Sequence, residues 1–200
     1  MSQAPGLSKR INLEIEVKLA CDDLDRLNRA GFQLILETPR HFEDNWLLDL
    51  PDQTLMKGGA ALRIRSVNGK GTLTYKKVVD GSRATRLKVR EEIETQIQEP
   101  QRVIELFERL GYRRSFRYQK YRTVYRLETE GQTLEVVFDE TPIGNFVEIE
   151  GDERAVERVL DAAGFTAEES IQLSYPELQA ERCRKKGIAF QDLVWKTDDH

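Results

Sequence analysis

Charged residues at alternate positions of extended segments restrict the fold of this sequence more than any other feature. In residues 12–19, Glu14, Glu16 and Lys18 alternate with apolar residues. Because successive side chains of a β-strand point to opposite faces, this segment predicts a strand with one apolar and one charged face. A single strand of this kind is also typical of a sheet edge whose charged face meets water.

The same alternation recurs along the chain, and one sign of charge tends to dominate each segment. The alternating basic residues are Arg63, Arg65, Lys76, Lys88, Arg90, Lys120 and Arg122, and the acidic ones are Glu92, Glu94, Glu148 and Glu150. If these faces point into a common lumen, they form a cavity with many cations and a few clustered carboxylates. Arginine and lysine bind phosphate oxygens and carboxylates bind hard cations, so the pattern favours a site for a polyanion with a divalent metal.

Length and composition exclude several classes of protein. Two hundred residues predict one domain, at 11–187, between a disordered lead-in at 1–10 and a C-terminal tail at 188–200. The net charge of −4 and the pI of about 5.5 argue against a nucleic-acid partner. No apolar run is long enough for a signal segment or a membrane span, so we expect a cytoplasmic protein with no membrane partner.

Cysteine and histidine are too scarce to suggest a disulfide or a zinc site. Cys21 and Cys183 lie far apart in no ligand-like spacing, which predicts unpaired thiols in a reducing cytosol. The two histidines are His41 and His200, so a zinc site is not expected.

Turn and cap signals divide the chain into strands and a few helices. Strands are predicted at 12–19, 32–37, 41–50, 61–67, 72–78, 85–96, 114–128, 133–139 and 146–150, and helices at 24–30, 100–110, 153–163 and 177–186. Pro39 is expected to end a strand, Asn68-Gly69 to turn a hairpin, and residues 56–59 to form a loop. About eight strands, largely antiparallel and hairpin-linked, predict an α+β fold with a closed or nearly closed barrel.

The order of the charged motifs resembles that of the CYTH superfamily, the triphosphate tunnel metalloenzymes. Residues 14–18 match its E-x-E-x-K signature, and segments 62–65, 74–76, 88–94, 120–122 and 139–150 follow in the family's order. The resemblance covers about residues 10–185. In pattern the chain is most similar to bacterial members labelled class IV adenylyl cyclase or thiamine-triphosphatase-like.

The resemblance implies an eight-stranded antiparallel β-barrel that forms a tunnel, a triphosphate substrate and a Mg²⁺ or Mn²⁺ cofactor. The implied metal ligands are Glu14, Glu16, Asp139, Glu148 and Glu150. The implied phosphate-binding residues are Lys18, Arg63, Arg65, Lys76, Lys88, Arg90, Lys120 and Arg122. Glu14, Glu16 and Lys18 would be catalytic, with Lys18 touching the terminal phosphate or orienting water. Glu92 and Glu94 would orient the basic residues or hold a second metal.

Three further polar residues have structural interpretations. Asn45 and Asp49 are interpreted as satisfying turns, and Tyr175 as packing against the C-terminal helix.

Two reactions fit such a tunnel. Hydrolysis of the terminal phosphate of a nucleoside, inorganic or organic triphosphate, such as thiamine triphosphate, is the expected activity, because it demands less of the site and no adenine-binding motif is visible. Cyclisation of ATP by a class IV adenylyl cyclase is the alternative, and a non-catalytic polyphosphate- or nucleotide-binding module is the second. The preferred triphosphate, the choice of metal, and a monomeric or homodimeric state are left open.

Overall fold

The chain folds into a closed barrel of eight antiparallel strands, as the sequence predicts. The computed structural model describes residues 12–21, 24–79 and 86–196, so the predicted lead-in at 1–10 lies outside the described residues. The strands are β1 (Asn12–Ala20), β2 (Leu34–Asp49), β3 (Ala60–Val67), β4 (Lys70–Val78), β5 (Lys88–Ile97), β6 (Arg113–Thr129), β7 (Gln132–Thr141) and β8 (Gly144–Glu150). Around the barrel they follow the order β1-β5-β4-β3-β2-β6-β7-β8.

The predicted break at Pro39 is wrong, because β2 runs through this residue. The register of β2 against β6 shifts twice between Leu36 and His41. These irregularities leave Pro39 outside the regular ladder, where its missing N–H costs no hydrogen bond. The two strands predicted around Pro39 are therefore one bent strand.

The hairpin between β3 and β4 turns at Asn68-Gly69, as predicted. The φ angles of Asn68 and Gly69 are 49° and 80°. A two-residue hairpin turn of this type needs positive φ at both positions, which asparagine and glycine tolerate best.

Five α-helices in the described part of the chain flank the barrel. They are α1 (Asp25–Arg29), α2 (Thr54–Lys57), α3 (Pro100–Arg109), α4 (Glu153–Ala162) and α5 (Tyr175–Lys186). The sequence predicted all but α2, whose place was interpreted as a loop. The Asp49 carboxylate stabilises α2 by accepting hydrogen bonds from the backbone N–H groups of Leu55 (2.9 Å) and Met56 (3.0 Å), so Asp49 satisfies a turn as expected. None of the described helices has the length and apolarity that a membrane span requires.

The main apolar core lies outside the barrel, beneath the helices. Val156, Val159 and Leu160 of α4 are fully buried in one cluster with Val17 of β1 and Ile149 of β8. A second cluster packs α3 against β2 and β3. Since the helices cover the apolar outward faces of the strands, the charged faces point into the lumen, and this positions the site.

The segment after α5 returns to the barrel and pairs with β6. The backbone N–H of Leu193 donates to the carbonyl of Arg117 (2.9 Å), and its carbonyl accepts from the N–H of Gln119 (2.9 Å). The N–H of Trp195 donates to the Gln119 side chain (3.2 Å). The C-terminal tail predicted at 188–200 is thus attached to the barrel at Leu193 and Trp195, whereas 197–200 lie outside the described residues.

Candidate active site

The barrel encloses a cavity of about 540 Å³ whose wall is mostly charged. All eight strands contribute lining side chains, and Ser174, Tyr175 and Pro176 at the start of α5 complete the wall. The predicted site residues that line it are Glu14, Glu16, Lys18, Arg63, Arg65, Lys76, Arg90, Glu92, Glu94, Lys120, Arg122, Glu148 and Glu150. The alternating charges of distant segments therefore meet in one lumen.

Strand order groups most of the acidic and basic side chains on two different arcs of the cavity. One arc is formed by the adjacent strands β7, β8 and β1 and the other by β3, β2 and β6; β3 and β2 lie across the lumen from β8 and β1, whereas β6 borders β7. The first arc carries Glu14, Glu16, Glu135, Glu148 and Glu150, and the second carries Arg63, Arg65, Lys120 and Arg122. A ligand between the arcs would meet carboxylates on one side and cations on the other.

Basic residues of β4 and β5 pair with the two glutamates of β1. Lys76 Nζ donates to Glu14 Oε1 and lies 3.1 Å from Glu92 Oε2, while Arg90 Nη2 donates to Glu16 Oε1. Although burial opposes ionisation, the charge of Arg90 lowers the pKa of Glu16 to about 2. Glu16 is therefore a carboxylate at neutral pH, held by a residue predicted to bind phosphate.

Glu92 and Glu94 lie beside the basic residues that they were expected to orient. Glu92 is the second partner of Lys76, as described above. Glu94 Oε2 accepts a hydrogen bond from the Thr74 hydroxyl (3.0 Å) and lies 3.9 Å from Arg63 Nη2. This geometry favours the orienting role over a second metal site.

Glu148 links Lys18 to Arg122 at the middle of the cavity. Its carboxylate lies 3.3 Å from Lys18 Nζ and accepts a 2.7 Å hydrogen bond from Arg122 Nη2. Burial opposes its ionisation, but Lys18 and Arg122 hold the pKa of Glu148 well below its usual range. Lys18 Nζ also lies 3.9 Å from the centre of the Tyr175 ring, so an aromatic face supports the lysine from the other side.

Asp139 is not among the residues that line the cavity, although it alternates along β7 with the lining residues Glu135 and Val137. Its fully buried carboxylate accepts hydrogen bonds from Lys120 Nζ (2.8 Å), Arg122 Nε (2.7 Å) and the Tyr175 hydroxyl (2.7 Å). Because protein donors already occupy both oxygens, this geometry favours orientation of Lys120 and Arg122, which were predicted to bind phosphate, over the metal contact that the resemblance implied. Tyr175 packs in an aromatic cluster, as expected, and its hydroxyl adds the contact to Asp139.

Lys88 is likewise not among the residues that line the cavity. Its Nζ donates to the backbone carbonyl of Leu173 (3.3 Å) and lies 3.6 Å from Glu16. Burial, followed by the nearby charge of Lys18, lowers the pKa of Lys88 to about 8. In this arrangement Lys88 fastens the segment that leads into α5, and a phosphate contact would require it to leave Leu173.

Three carboxylates in the acidic arc fit a hard cation by charge and ligand type. Glu14 Oε2 is buried without a hydrogen-bond partner in the described chain, and Glu135 and Glu150 have no ion pair within it. Burial, followed by the charge of Glu14, raises the pKa of Glu150 to about 8, and burial also raises the pKa of Glu14 and of Glu135. In the present side-chain positions, no three acidic, histidine or cysteine residues of the described chain stand close enough to hold an ion together. A divalent cation would relieve the repulsion, since oxygen ligands of this kind suit Mg²⁺ and Mn²⁺.

Sequence reasoning missed three residues of this region. Glu135 and Tyr118 line the cavity, and Glu43 is a buried carboxylate 3.2 Å from Arg65 and 3.5 Å from Lys120. The signal was the same alternation that marked the other strands. For Glu43 and Glu135 this alternation was hard to recognise, because the residues two positions away on either side carry no acidic or strongly basic side chain.

The interpretation of Asn45 as a turn residue is wrong. It lies within β2, opposite Arg65 on β3 and Tyr118 on β6, and it is fully buried. Neither polar atom of its side chain has a hydrogen-bond partner among the described residues.

Comparison with known proteins gives consistent matches over most of the chain. The profile of the CYTH domain family matches residues 12–182. A candidate adenylate cyclase of Methanocaldococcus jannaschii is 27% identical over 182 aligned residues, which cover 84% of this chain and 98% of that relative.

Two solved structures have the same fold. A candidate adenylate cyclase from Vibrio parahaemolyticus aligns with a TM-score of 0.68 at 19% identity, covering 84% of this chain and 98% of its own. A candidate adenylyl cyclase from Hippeastrum, described as having a dominant triphosphatase activity, aligns with a TM-score of 0.55 at 22% identity, covering 88% and 97%.

Proposed function

Because this chain belongs to the CYTH domain family, we propose that it is a divalent-metal-dependent triphosphatase that hydrolyses the terminal phosphate of a triphosphate inside the barrel. The observation that carries the proposal is that one cavity of the barrel is lined by five glutamates on one arc and by a set of arginines and lysines on the adjoining arc. Phosphoryl transfer needs positioning and charge neutralisation more than covalent chemistry, and both arcs supply them.

Binding would exchange the partners of the charged side chains. Arg90 and Lys76 are held by Glu16 and Glu14, and Arg65 is held by Glu43. A triphosphate offers these cations phosphate oxygens, which accept charge-assisted hydrogen bonds from guanidinium groups in pairs. The carboxylates released in this way become available to a cation. Binding of the polyanion is therefore expected to favour binding of the metal, and binding of the metal to favour binding of the polyanion.

Glu14, Glu135 and Glu150 are the residues that would hold the metal, with Glu16 and Glu148 beside them. A bound divalent cation supplies Lewis-acid neutralisation of phosphate charge. Lys18, supported by Glu148 and the Tyr175 ring, is positioned to donate to a phosphate oxygen or to orient the attacking water.

The aromatic residues of the cavity favour hydrolysis over cyclisation. Cyclisation requires the ribose 3′-hydroxyl to be held at the α-phosphate, which needs a surface for the nucleoside. The two aromatic rings that line the cavity, Tyr118 and Tyr175, pack against each other with their centroids 5.4 Å apart. The hydroxyl of Tyr175 also donates a hydrogen bond to Asp139, so these contacts do not leave the rings as a surface for the nucleoside. Adenylyl cyclase activity is the second candidate, because the Methanocaldococcus jannaschii relative is named for it.

Product analysis separates these candidates. The purified chain is incubated with inorganic triphosphate, thiamine triphosphate and ATP, each with Mg²⁺, with Mn²⁺ and with a chelator. Metal-dependent release of phosphate supports the triphosphatase, whereas cAMP with pyrophosphate from ATP supports the cyclase. If every substrate is bound but left intact with either metal, both activities are wrong and a binding module is the better explanation.

A further inference from the structure

Asn45 is a fully buried amide of the barrel wall whose hydrogen-bonding groups are unused. Its exposed fraction is 0%, and both Nδ2 and Oδ1 lack a partner in the described residues. Leaving a buried polar group unpaired destabilises a fold, and most such groups in native proteins are paired. The position of this amide therefore needs a physical explanation.

The register of the sheet places Asn45 next to one phosphate-binding candidate. Asn45 alternates along β2 with Leu47, which lines the cavity, so its side chain belongs to the lumenal face. Its direct partner on β3 is Arg65, and side chains of directly opposed residues lie about 4.5–5.5 Å apart at their Cβ atoms. Arg65 Nε is itself buried without a hydrogen-bond partner among the described residues. An unused acceptor and an unused donor thus lie on neighbouring strands.

Arg65 has a competing partner in Glu43. Arg65 Nη1 lies 3.2 Å from Glu43 Oε1, and Glu43 also lies 3.5 Å from Lys120. A carboxylate and a phosphate compete for the same guanidinium, because both are anions that prefer its terminal nitrogens. A neutral amide oxygen on Nε does not compete, since it leaves both terminal nitrogens for the phosphate.

We propose that Asn45 is a positioning residue for Arg65 in the ligand-bound state. When a triphosphate draws the guanidinium away from Glu43, Asn45 Oδ1 accepts a hydrogen bond from Arg65 Nε and fixes the plane of the guanidinium. The terminal nitrogens then face the phosphate as a pair. This inference rests on the proposed function, because it requires a triphosphate in the cavity.

A double-mutant cycle tests the proposal, with inorganic triphosphate as the ligand and a chelator present so that no turnover consumes it. The dissociation constant is measured for the wild type, Asn45→Leu, Arg65→Ala and the double variant. Asn45→Leu should weaken binding at least tenfold, which is about 1.4 kcal/mol. In the Arg65→Ala background the same change should weaken binding less than threefold, because the partner through which Asn45 acts is gone.

The stability of the ligand-free variants provides the second measurement. Leucine has the branched shape of asparagine and no unpaired polar atoms, but it is larger, so Asn45→Leu should melt close to the wild-type temperature, because removal of the unpaired amide offsets the tighter packing. Asn145→Leu, the same change at an outward-facing position of β8, is the control and should leave the affinity within twofold. If Asn45→Leu does not fold, as judged by circular dichroism, Asn45→Ala replaces it in the cycle.

Three results would overturn the proposal. An Asn45 variant that binds triphosphate within twofold of the wild type shows that the amide does not serve the ligand. An equal loss in both backgrounds shows that it does not act through Arg65. A wild type that binds triphosphate no better than monophosphate overturns the proposed function as well, and so is distinguishable from a failure of this inference alone.

Discussion

Replacing Glu150 with glutamine is expected to stabilise the metal-free barrel at alkaline pH, although the change removes a charge from the candidate metal site. Burial, followed by the charge of Glu14, raises the pKa of Glu150 from its usual 4.5 to about 8. Between these values the folded chain keeps a proton that the unfolded chain releases, so the free energy of unfolding falls as the pH rises. The loss of stability caused by ionising Glu150 in the folded chain is absent below pH 4.5 and complete above about pH 8.

The size of the effect follows from the same two values. The interval from 4.5 to about 8 corresponds to about 5 kcal/mol, at 1.36 kcal/mol for each pKa unit. Glu150 is partly exposed and shares its repulsion with Glu14 and Glu135, so solvent screening should reduce this to about 1–2 kcal/mol. In a chain of this size, about 1 kcal/mol shifts the melting temperature by about 2–4 °C. Glu150→Gln should therefore melt about 2–8 °C above the wild type at pH 8.5, and the difference should shrink steadily towards pH 5.

Thermal melts followed by circular dichroism in a chelating buffer at pH 5, 7 and 8.5 measure this difference. Glu105→Gln, on the exposed face of α3, is the matched control and should show no such trend. Excess Mg²⁺ should narrow the gap, because it stabilises the wild type more than the variant. If Glu150→Gln melts at or below the wild type at pH 8.5, the carboxylates do not repel each other and the reasoning behind the metal site is wrong.

Four further changes test other parts of the site. Glu14→Gln should abolish metal-dependent turnover while the melting temperature changes little, because the cations beside Glu14 keep other acidic partners; an unchanged rate at saturating metal would contradict the ligand role. Arg65→Ala should lower kcat/KM at least tenfold, since one charged hydrogen bond contributes about 1.5–3 kcal/mol, whereas Arg109→Ala on α3 should not change it. Asp139→Asn should lower the free energy of unfolding by about 3–5 kcal/mol in urea titrations, because it breaks buried pairs with two cations; a loss below 1 kcal/mol would show that these pairs are weak. Inorganic triphosphate should raise the melting temperature by several degrees, by mass action of about 2.7 kcal/mol at one hundred times its dissociation constant, and equal shifts with monophosphate would exclude an extended polyanion site.

The alternation of charged residues was sufficient to predict most of the charged lining of the cavity. In β1, β3 and β6 a period of two fixes which side chains share a face, whatever the strands pack against. The charged residues of one strand therefore had to share a face, as Glu14 and Glu16 do on β1 and Arg63 and Arg65 do on β3. Closure of the barrel brings these faces together around one cavity. The Asn68-Gly69 turn was predictable for a similarly local reason, since few other dipeptides tolerate positive φ twice.

Contacts between distant strands decided what each charge does. Asp139 and Glu135 alternate along the same strand, yet the first is enclosed by Lys120 and Arg122 and the second faces the cavity without an ion pair in the described chain. The stagger of neighbouring strands and the packing of Tyr175 from α5 produce this difference, and neither is encoded in the spacing along β7.

The sequence by itself determined the barrel, the sign of charge on each face and the residues proposed to bind a polyanion and a metal, because these depend on local periodicity and turn chemistry. Only the tertiary structure decided which carboxylates are paired, which are left for a cation, and that Asn45 lies opposite Arg65 in the wall. Burial and cross-strand register control these properties, and both arise when strands far apart in the chain are closed into one barrel.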